Sequence, residues 1–178
     1  ETPDYDRYFI SKQDEKKINA ALKTVFMNTS SAGIRNLLFD LGGVIINLDR
    51  QRCVDALTAL GDEKADEMLS LSVQRGTLMD LEEGKISPSD FFKRMRQKIG
   101  KAVSDEEIVH ALNELLIGIP LDRLTLLRKL RQRFNVMMLS NTNPIMFDTK
   151  IAECFAQEGL SITDYFDDVY LSYRLKSC

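Results

Sequence analysis

The sequence is poor in the residues that build zinc sites and disulfide frameworks. It has a single histidine, His110, and three cysteines, at positions 53, 154 and 178. No two cysteines have the close spacing of a zinc ligand set, and an odd number of scattered cysteines does not form a disulfide framework. We therefore expect incidental thiols in a reducing cytoplasm. His110 has no acidic or cysteine partner at metal spacing, so we expect a structural role for it.

The sequence also lacks a long apolar run and an excess of positive charge. No stretch approaches the roughly 20 apolar residues of a membrane helix, and the N-terminus lacks the basic-then-apolar pattern of a signal peptide. The formal net charge is −3, and no basic stripe is available to neutralise a phosphate backbone. With 44% hydrophobic and 29% charged residues, the composition is that of a globular domain. We expect a cytoplasmic protein that binds neither nucleic acid nor a membrane.

What the sequence does contain is an alternation of apolar runs and amphipathic helices. The runs at 34–40, 134–140 and 168–172 are predicted strands, and their near-continuous apolarity is typical of strands covered on both faces. The segments 121–132 and 144–157 between them have helical spacing of their apolar residues. This alternation predicts an α/β fold with a doubly wound parallel sheet.

Helix signals replace strand signals between residues 50 and 116. Ser87 precedes a proline and opens a helix that ends at Gly100, and Ser104 with Glu107 forms a capping box for the next helix. The segment is therefore predicted to be a helical cap inserted in the α/β core.

Three parts of the chain follow from these boundaries. Residues 1–33 are predicted to form an N-terminal helical extension, because apolar residues at helical spacing are followed by a small, polar turn. Residues 34–49 and 117–178 form the predicted α/β core domain, and residues 50–116 form the helical cap insertion.

Asp40 ends the first predicted strand and precedes the pair Gly42-Gly43. Open α/β sheets bind ligands at the carboxyl edge of their strands. A carboxylate there can attack phosphorus to form an aspartyl-phosphate, and the backbone N–H groups of a glycine-containing loop can hold phosphoryl oxygens. The alternative is that Asp40 simply begins a turn.

Ser140 and Asn141 end the second predicted strand, and Pro144 suits the first turn of the helix that follows. A hydroxyl and an amide placed before a helix N-terminus can hydrogen-bond a phosphate. The alternative is an ordinary helix cap, because Ser, Thr and Asn are the preferred residues there.

Taken in order, these features resemble motifs one and two of the haloacid dehalogenase superfamily, separated by its helical cap. The greatest similarity is to phosphatases related to glucose-1-phosphate phosphatase and to the N-terminal domain of soluble epoxide hydrolase. The resemblance covers about residues 34–178, including a familiar cap loop at 81–87 and a familiar Tyr170-Leu171-Ser172.

The resemblance implies a role for each site residue. Asp40 is the expected nucleophile and Mg²⁺ ligand, and the backbone carbonyl of Gly42 is the expected second Mg²⁺ ligand. Gly42, Gly43, Ser140 and Asn141 are the expected phosphate-binding residues.

The implied activity is that of a magnesium-dependent phosphatase acting on a small phosphorylated metabolite such as a sugar phosphate. Most such phosphatases carry a second aspartate two residues after the nucleophile, as the general acid, and this chain has Gly42 there. A haloacid dehalogenase, whose departing halide needs no proton, is therefore an alternative. A non-catalytic binding module that retains the fold is another.

The superfamily's third and fourth motifs, a lysine and an acidic pair, are expected beyond Cys178, and Lys176 does not match that lysine in spacing. We therefore expect a fragment that is inactive alone, or a chain whose missing strands come from another polypeptide. An uncovered first strand would present an open sheet edge. That edge favours a homo-oligomer or a second chain that covers it.

Overall fold

The computed structural model describes residue 20 and residues 33–69 and 76–176. The predicted N-terminal extension therefore lies outside the described residues, apart from residues 20 and 33. Within the described part of the chain, no helix has the length and apolarity needed to cross a bilayer.

The order of secondary structure follows the predicted pattern of strand, helical segment, and then strands alternating with helices. The strands are β1 (Asn36–Phe39), β2 (Asn47–Leu48), β3 (Leu116–Gly118), β4 (Asn135–Ser140) and β5 (Asp168–Leu171). The helices are α1 (Arg50–Leu60), α2 (Ala65–Met68), α3 (Thr77–Glu82), α4 (Pro88–Ile99), α5 (Asp105–Asn113), α6 (Leu121–Arg131), α7 (Pro144–Met146), α8 (Ala152–Phe155) and α9 (Ser172–Leu175). A π-helical turn, Phe147–Ile151, joins α7 to α8, and short 3₁₀ turns cover Ala156–Glu158 and Ile162–Asp164.

The three longest strands form one sheet in the order β1-β4-β5. β1 and β4 pair in parallel, from Asn36 opposite Asn135 to Phe39 opposite Met138. The parallel pairing of strands that are far apart in the sequence confirms the predicted α/β fold class.

The prediction that β1 is covered on both faces is wrong. β1 lies at one end of the strand order, its residues are exposed or half-buried, and the Leu38 side chain is 57% exposed. The neighbouring strand β4, in contrast, buries Val136 and Met138. An apolar run predicts a strand, but its burial depends on which segments pack against it, and the run itself does not contain that information.

The described residues group into two compact units. Unit one comprises 33–48, Gly118–Leu139 and Glu153–Val169; unit two comprises the described part of Asp49–Ile117, Ser140–Ala152, and 170–176. In unit one, Phe155 packs against Tyr165 and Phe166, with ring centroids 5.6 and 5.8 Å apart. In unit two, helices α1, α4 and α5 bury an apolar core that contains Leu57, Phe91, Met95, Ile108 and Leu112.

Helix ends in unit two follow the predicted capping residues. The Ser87 and Ser104 side chains accept hydrogen bonds from the backbone N–H groups of Asp90 and Glu107, and both capping boxes are complete. Gly100 ends α4 in the left-handed conformation that favours glycine. These helix boundaries are confirmed because they depend on local side chain–backbone chemistry.

Candidate active site

Asp40 is the residue immediately after β1, and its side chain is exposed. One carboxylate oxygen, Oδ1, accepts a hydrogen bond of 2.7 Å from the backbone N–H of Leu41. That bond orients the carboxylate at the strand end and leaves the other oxygen, Oδ2, free of this contact. An exposed, oriented carboxylate is the arrangement that a nucleophile needs.

The loop after Asp40 is held by its own backbone. The Leu41 carbonyl accepts hydrogen bonds from the N–H groups of Ile45 (2.9 Å) and Ile46 (3.0 Å), and Gly43 N–H donates to the Ile46 carbonyl at 2.9 Å. Leu41, Ile45 and Ile46 are buried, which anchors the loop to the interior of unit one. The loop is therefore a defined turn, and Gly43 takes the left-handed conformation (φ 71°) that glycine adopts without strain.

Gly42 differs from Gly43 in that nothing local requires a glycine. Its φ lies outside the left-handed region, and an added Cβ would have Leu48 Cδ1 as its nearest atom, at 3.4 Å. The position at which most family phosphatases carry the general acid therefore has space for a side chain.

Arg123 of α6 supports the same loop from the interior of unit one. It is 1% exposed, and its Nη1 donates hydrogen bonds to the Ile45 carbonyl (3.0 Å) and to Asn47 Oδ1 (2.8 Å). Sequence reasoning missed this residue. The available signal was its position on the apolar face of α6, four residues before Leu127 and seven before Leu130.

The turn after β4 belongs to unit two. Ser140, the last residue of β4, is buried, and Asn141 is exposed. Asn143 is fully buried, and its Oδ1 accepts a hydrogen bond of 3.0 Å from Met146 N–H, which caps α7. The predicted cap at the start of this helix is therefore present, and the residue that supplies it is Asn143.

Ser172 holds the middle of that turn. Its hydroxyl accepts a hydrogen bond from Thr142 N–H and donates one to the Thr142 carbonyl, both at 3.1 Å. Both residues are buried, with exposed fractions of 1% and 5%. Sequence reasoning noticed Tyr170-Leu171-Ser172 as a familiar string but assigned Ser172 no role.

The predicted site residues thus occupy two strand ends. Asp40, Gly42 and Gly43 follow β1 in unit one, and Ser140 and Asn141 end and follow β4 in unit two.

Comparison with known proteins assigns the family. The D-ribitol-5-phosphate phosphatase of Bacteroides thetaiotaomicron is 37% identical over 142 residues, which are 80% of this chain and 69% of that protein. The chain belongs to the haloacid dehalogenase superfamily of hydrolases. This confirms the predicted superfamily. No protein-family model matches the chain.

Two solved structures from this superfamily share the fold. A HAD family enzyme from Bacteroides thetaiotaomicron, in complex with magnesium and inorganic phosphate, is 40% identical with a TM-score of 0.77, over 82% of this chain and 72% of that one. A predicted HAD-like family hydrolase from Porphyromonas gingivalis is 33% identical with a TM-score of 0.76, over 83% of this chain and 70% of that one.

The described residues supply part of the donor set that magnesium prefers. Mg²⁺ takes hard oxygen ligands, keeps several waters and often uses only one or two carboxylates together with substrate phosphate. The Asp40 carboxylate and the Gly42 carbonyl are oxygens of that kind, two residues apart in the same loop. Among residues 33–69 and 76–176, no group of three or more His, Cys, Asp or Glu side chains forms a metal cluster. The donor chemistry fits magnesium with one protein carboxylate.

The cap loop at 81–87 contains a glutamate, Glu82, whose pKa is raised. Glu82 ends α3, and burial raises its pKa to about 7. Two residues later, Gly84 has a φ of 65°, and an added Cβ there would lie 2.4 Å from the Tyr173 carbonyl oxygen. The cap loop and the segment after β5 are therefore in close backbone contact within unit two.

Two basic side chains of the cap segment have carboxylate neighbours. Arg94 Nη1 lies 2.7 Å from Asp80 Oδ2, and Lys85 forms an ion pair with Glu83. His110 is largely exposed and lies 3.9 Å from Glu114.

Two aspartates shortly before β5, Asp164 and Asp167, have local structural roles. Asp164 completes a capping box with Ser161, and Asp167 Oδ2 accepts a hydrogen bond of 2.8 Å from Val136 N–H. Asp167 also forms an ion pair with Arg131.

Proposed function

We propose that this chain carries the nucleophile and phosphate-binding elements of a magnesium-dependent phosphatase that acts on a small phosphorylated sugar or sugar alcohol. The observation that supports this most strongly is the exposed Asp40 carboxylate, oriented by Leu41 N–H at the carboxyl end of a parallel strand. The substrate class is supported by the similarity to a D-ribitol-5-phosphate phosphatase.

In the proposed reaction, Asp40 Oδ2 attacks the phosphorus atom in line with the leaving oxygen. The new bond joins Oδ2 to phosphorus, the bond from phosphorus to the substrate oxygen breaks, and that oxygen takes a proton from solvent water, so that the substrate leaves as an alcohol. Water then attacks the aspartyl-phosphate, which releases inorganic phosphate and restores the Asp40 carboxylate. Magnesium, when bound by Asp40 and the Gly42 carbonyl, would supply charge neutralisation for the phosphoryl oxygens.

Ser140 and Asn141 are proposed to bind the phosphoryl oxygens. The Ser140 hydroxyl lies 3.5 Å from the Asn141 carbonyl, a distance at the outer limit for a hydrogen bond, so that hydroxyl can donate to a phosphate without losing a strong internal bond. Gly43 N–H already donates to Ile46, so the proposed contribution of Gly43 is to the shape of the loop.

The decisive experiment replaces the Asp40 carboxylate with an amide. In an assembly that hydrolyses ribitol 5-phosphate with magnesium, we expect Asp40→Asn to lower that activity by about a thousandfold or more, because an amide is a very poor nucleophile. Asp55→Asn is the matched control. Asp55 is exposed on α1, where it accepts a hydrogen bond from Gln51, so its loss should leave turnover unchanged.

Three results would contradict the proposal. Release of halide from a 2-haloacid without magnesium would favour the dehalogenase alternative. Full turnover by Asp40→Asn would remove Asp40 from the chemistry. Binding of phosphorylated ligands that is unaffected by Asp40→Asn, with no turnover by any assembly of the wild-type chain, would favour the non-catalytic module.

A further inference from the structure

The turn between β4 and α7 contains one exposed residue between buried ones. Ser140, Thr142 and Asn143 are buried with exposed fractions of 3%, 5% and 0%, whereas Asn141 is exposed. The turn therefore presents one side chain while its neighbours are packed. An exposed amide on such a turn keeps a defined direction only if the backbone on both sides is fixed.

On the side before Asn141, the turn begins at Ser140, the last residue of β4, and on the side after it two residues are held by hydrogen bonds. Asn143 is fixed through its bond to Met146 N–H at 3.0 Å, and Thr142 is fixed by the hydroxyl of Ser172. The Ser172 hydroxyl bonds both the N–H and the carbonyl of Thr142, as a neighbouring strand residue would do. Ser172 follows the last residue of β5, so this contact ties the end of β5 to the residue after Asn141.

The two hydrogen bonds between the Ser172 side chain and the Thr142 backbone require a group that both donates and accepts. A hydroxyl is both donor and acceptor, so a single Ser172 Oγ satisfies both buried backbone groups of Thr142. An alanine would leave a buried N–H and a buried carbonyl without this partner, and the backbone would then have to shift or admit water to satisfy them.

From this arrangement we infer that Ser172 is a positioning residue, which acts through Thr142 to hold Asn141 in its phosphate-binding orientation. This inference rests on the proposed function. Ser172 does not itself contact the phosphate, and its effect on phosphate binding requires the Asn141 side chain.

A double-mutant cycle tests this role, with inorganic phosphate and magnesium as the probe and calorimetric titration of the whole chain as the readout. We expect Ser172→Ala to weaken phosphate binding about tenfold, in line with the loss of two buried hydrogen bonds. In an Asn141→Ala background the same substitution should have no further effect on phosphate binding, because the residue through which it acts is gone. Amide hydrogen exchange at Thr142 should accelerate in Ser172→Ala.

Ser104→Ala is the matched control. Its hydroxyl accepts a hydrogen bond of 3.1 Å from Glu107 N–H and caps α5 in the same unit. It should lower the free energy of unfolding but leave phosphate affinity unchanged. If Ser172→Ala does not fold, Ser172→Cys replaces it, because a thiol retains the shape and forms only weak hydrogen bonds.

Wild-type phosphate affinity in Ser172→Ala would overturn the inference. A double variant whose fold-loss of phosphate affinity equals the product of the Ser172→Ala and Asn141→Ala losses would also overturn it. A wild-type chain that binds no phosphate would overturn the proposed function and the positioning role together. Thr142 exchange separates the two failures: accelerated exchange in Ser172→Ala would then show that the restraint exists without a phosphate site.

Discussion

Arg123 donates a hydrogen bond of 3.0 Å to the backbone carbonyl of Ile45, 78 residues earlier in the chain. Ile45 belongs to the turn that follows Asp40, and its own N–H is bonded to the Leu41 carbonyl. A buried guanidinium from α6 thus stabilises the loop that carries the proposed nucleophile. Such a group is expected to matter more for stability than an arginine at the surface.

Arg123→Met should destabilise the chain by about 2 kcal/mol. The substitution removes the donor to the Ile45 carbonyl and to Asn47 Oδ1, and a buried acceptor without a partner costs roughly 1–3 kcal/mol. Urea unfolding measures the change. Arg128→Met is the control from the same helix: Arg128 is 42% exposed and pairs with Glu158, so its loss should cost less than about 1 kcal/mol. Equal losses would contradict the structural role of Arg123.

Gly84→Ala should destabilise the chain more than Gly100→Ala. Both glycines have positive φ angles, 65° and 71°, so both substitutions carry the backbone strain of a left-handed residue, about 1 kcal/mol. Only at Gly84 would the new Cβ also meet a backbone atom, the Tyr173 carbonyl oxygen, at 2.4 Å, whereas at Gly100 it would meet open space. We expect the difference between the two variants to be about 1–3 kcal/mol in urea unfolding. Equal midpoints would show that the cap loop does not pack closely against Tyr173.

Glu82 should make stability fall as pH rises. Burial raises its pKa in the folded chain from 4.5 to about 7, so the folded state binds this proton more tightly than the unfolded state does. Its contribution is fully present below pH 4.5 and is lost as the pH rises through 7. Because Glu82 is only partly buried, we expect the free energy of unfolding to fall by about 2 kcal/mol over this pH range.

Glu82→Gln should remove that dependence and should be more stable than the wild type at pH 8. Glu83→Gln is the control, because Glu83 is paired with Lys85. Urea midpoints measured between pH 4.5 and 8 give the comparison. A wild-type profile that matches that of Glu82→Gln would contradict the raised pKa.

Gly42→Asp should improve hydrolysis of phosphate esters that have poor leaving groups. The site has space for a side chain, since the nearest atom to an added Cβ is Leu48 Cδ1 at 3.4 Å. A carboxylic acid there can protonate the departing alkoxide, an effect worth about 10²- to 10⁴-fold when well placed. We expect at least a tenfold gain with an alkyl phosphate and little gain with an aryl phosphate. Gly42→Asn has a similar shape without the acid, and the same gain from it would rule out proton donation.

Sequence reasoning located the three strands of the larger sheet, helices between residues 50 and 116, and the polar residues at strand ends, but it did not predict β2 and β3. These features depend on local properties: a buried strand shows an apolar run, and Ser87 and Ser104 cap helices through bonds that span only three residues. Asp40 and Ser140 were found in the same way, because each follows or ends such a run. The alternation of strands and helices also led to the parallel sheet, which the register of β1 and β4 confirms.

Tertiary structure decided the exposure of β1. It also decided the hydrogen bonds by which Arg123 holds the loop after Asp40 and Ser172 holds the turn after β4. Leu38 is apolar but 57% exposed, because burial depends on which segments cover a strand. Arg123 reaches the Asp40 loop across 78 residues, and Ser172 reaches Thr142 across 30. Local sequence patterns predict which residues lie at the ends of strands, since periodicity and capping act over a few residues. They do not predict which distant side chain satisfies a buried backbone group, because that partner is selected only when the chain packs.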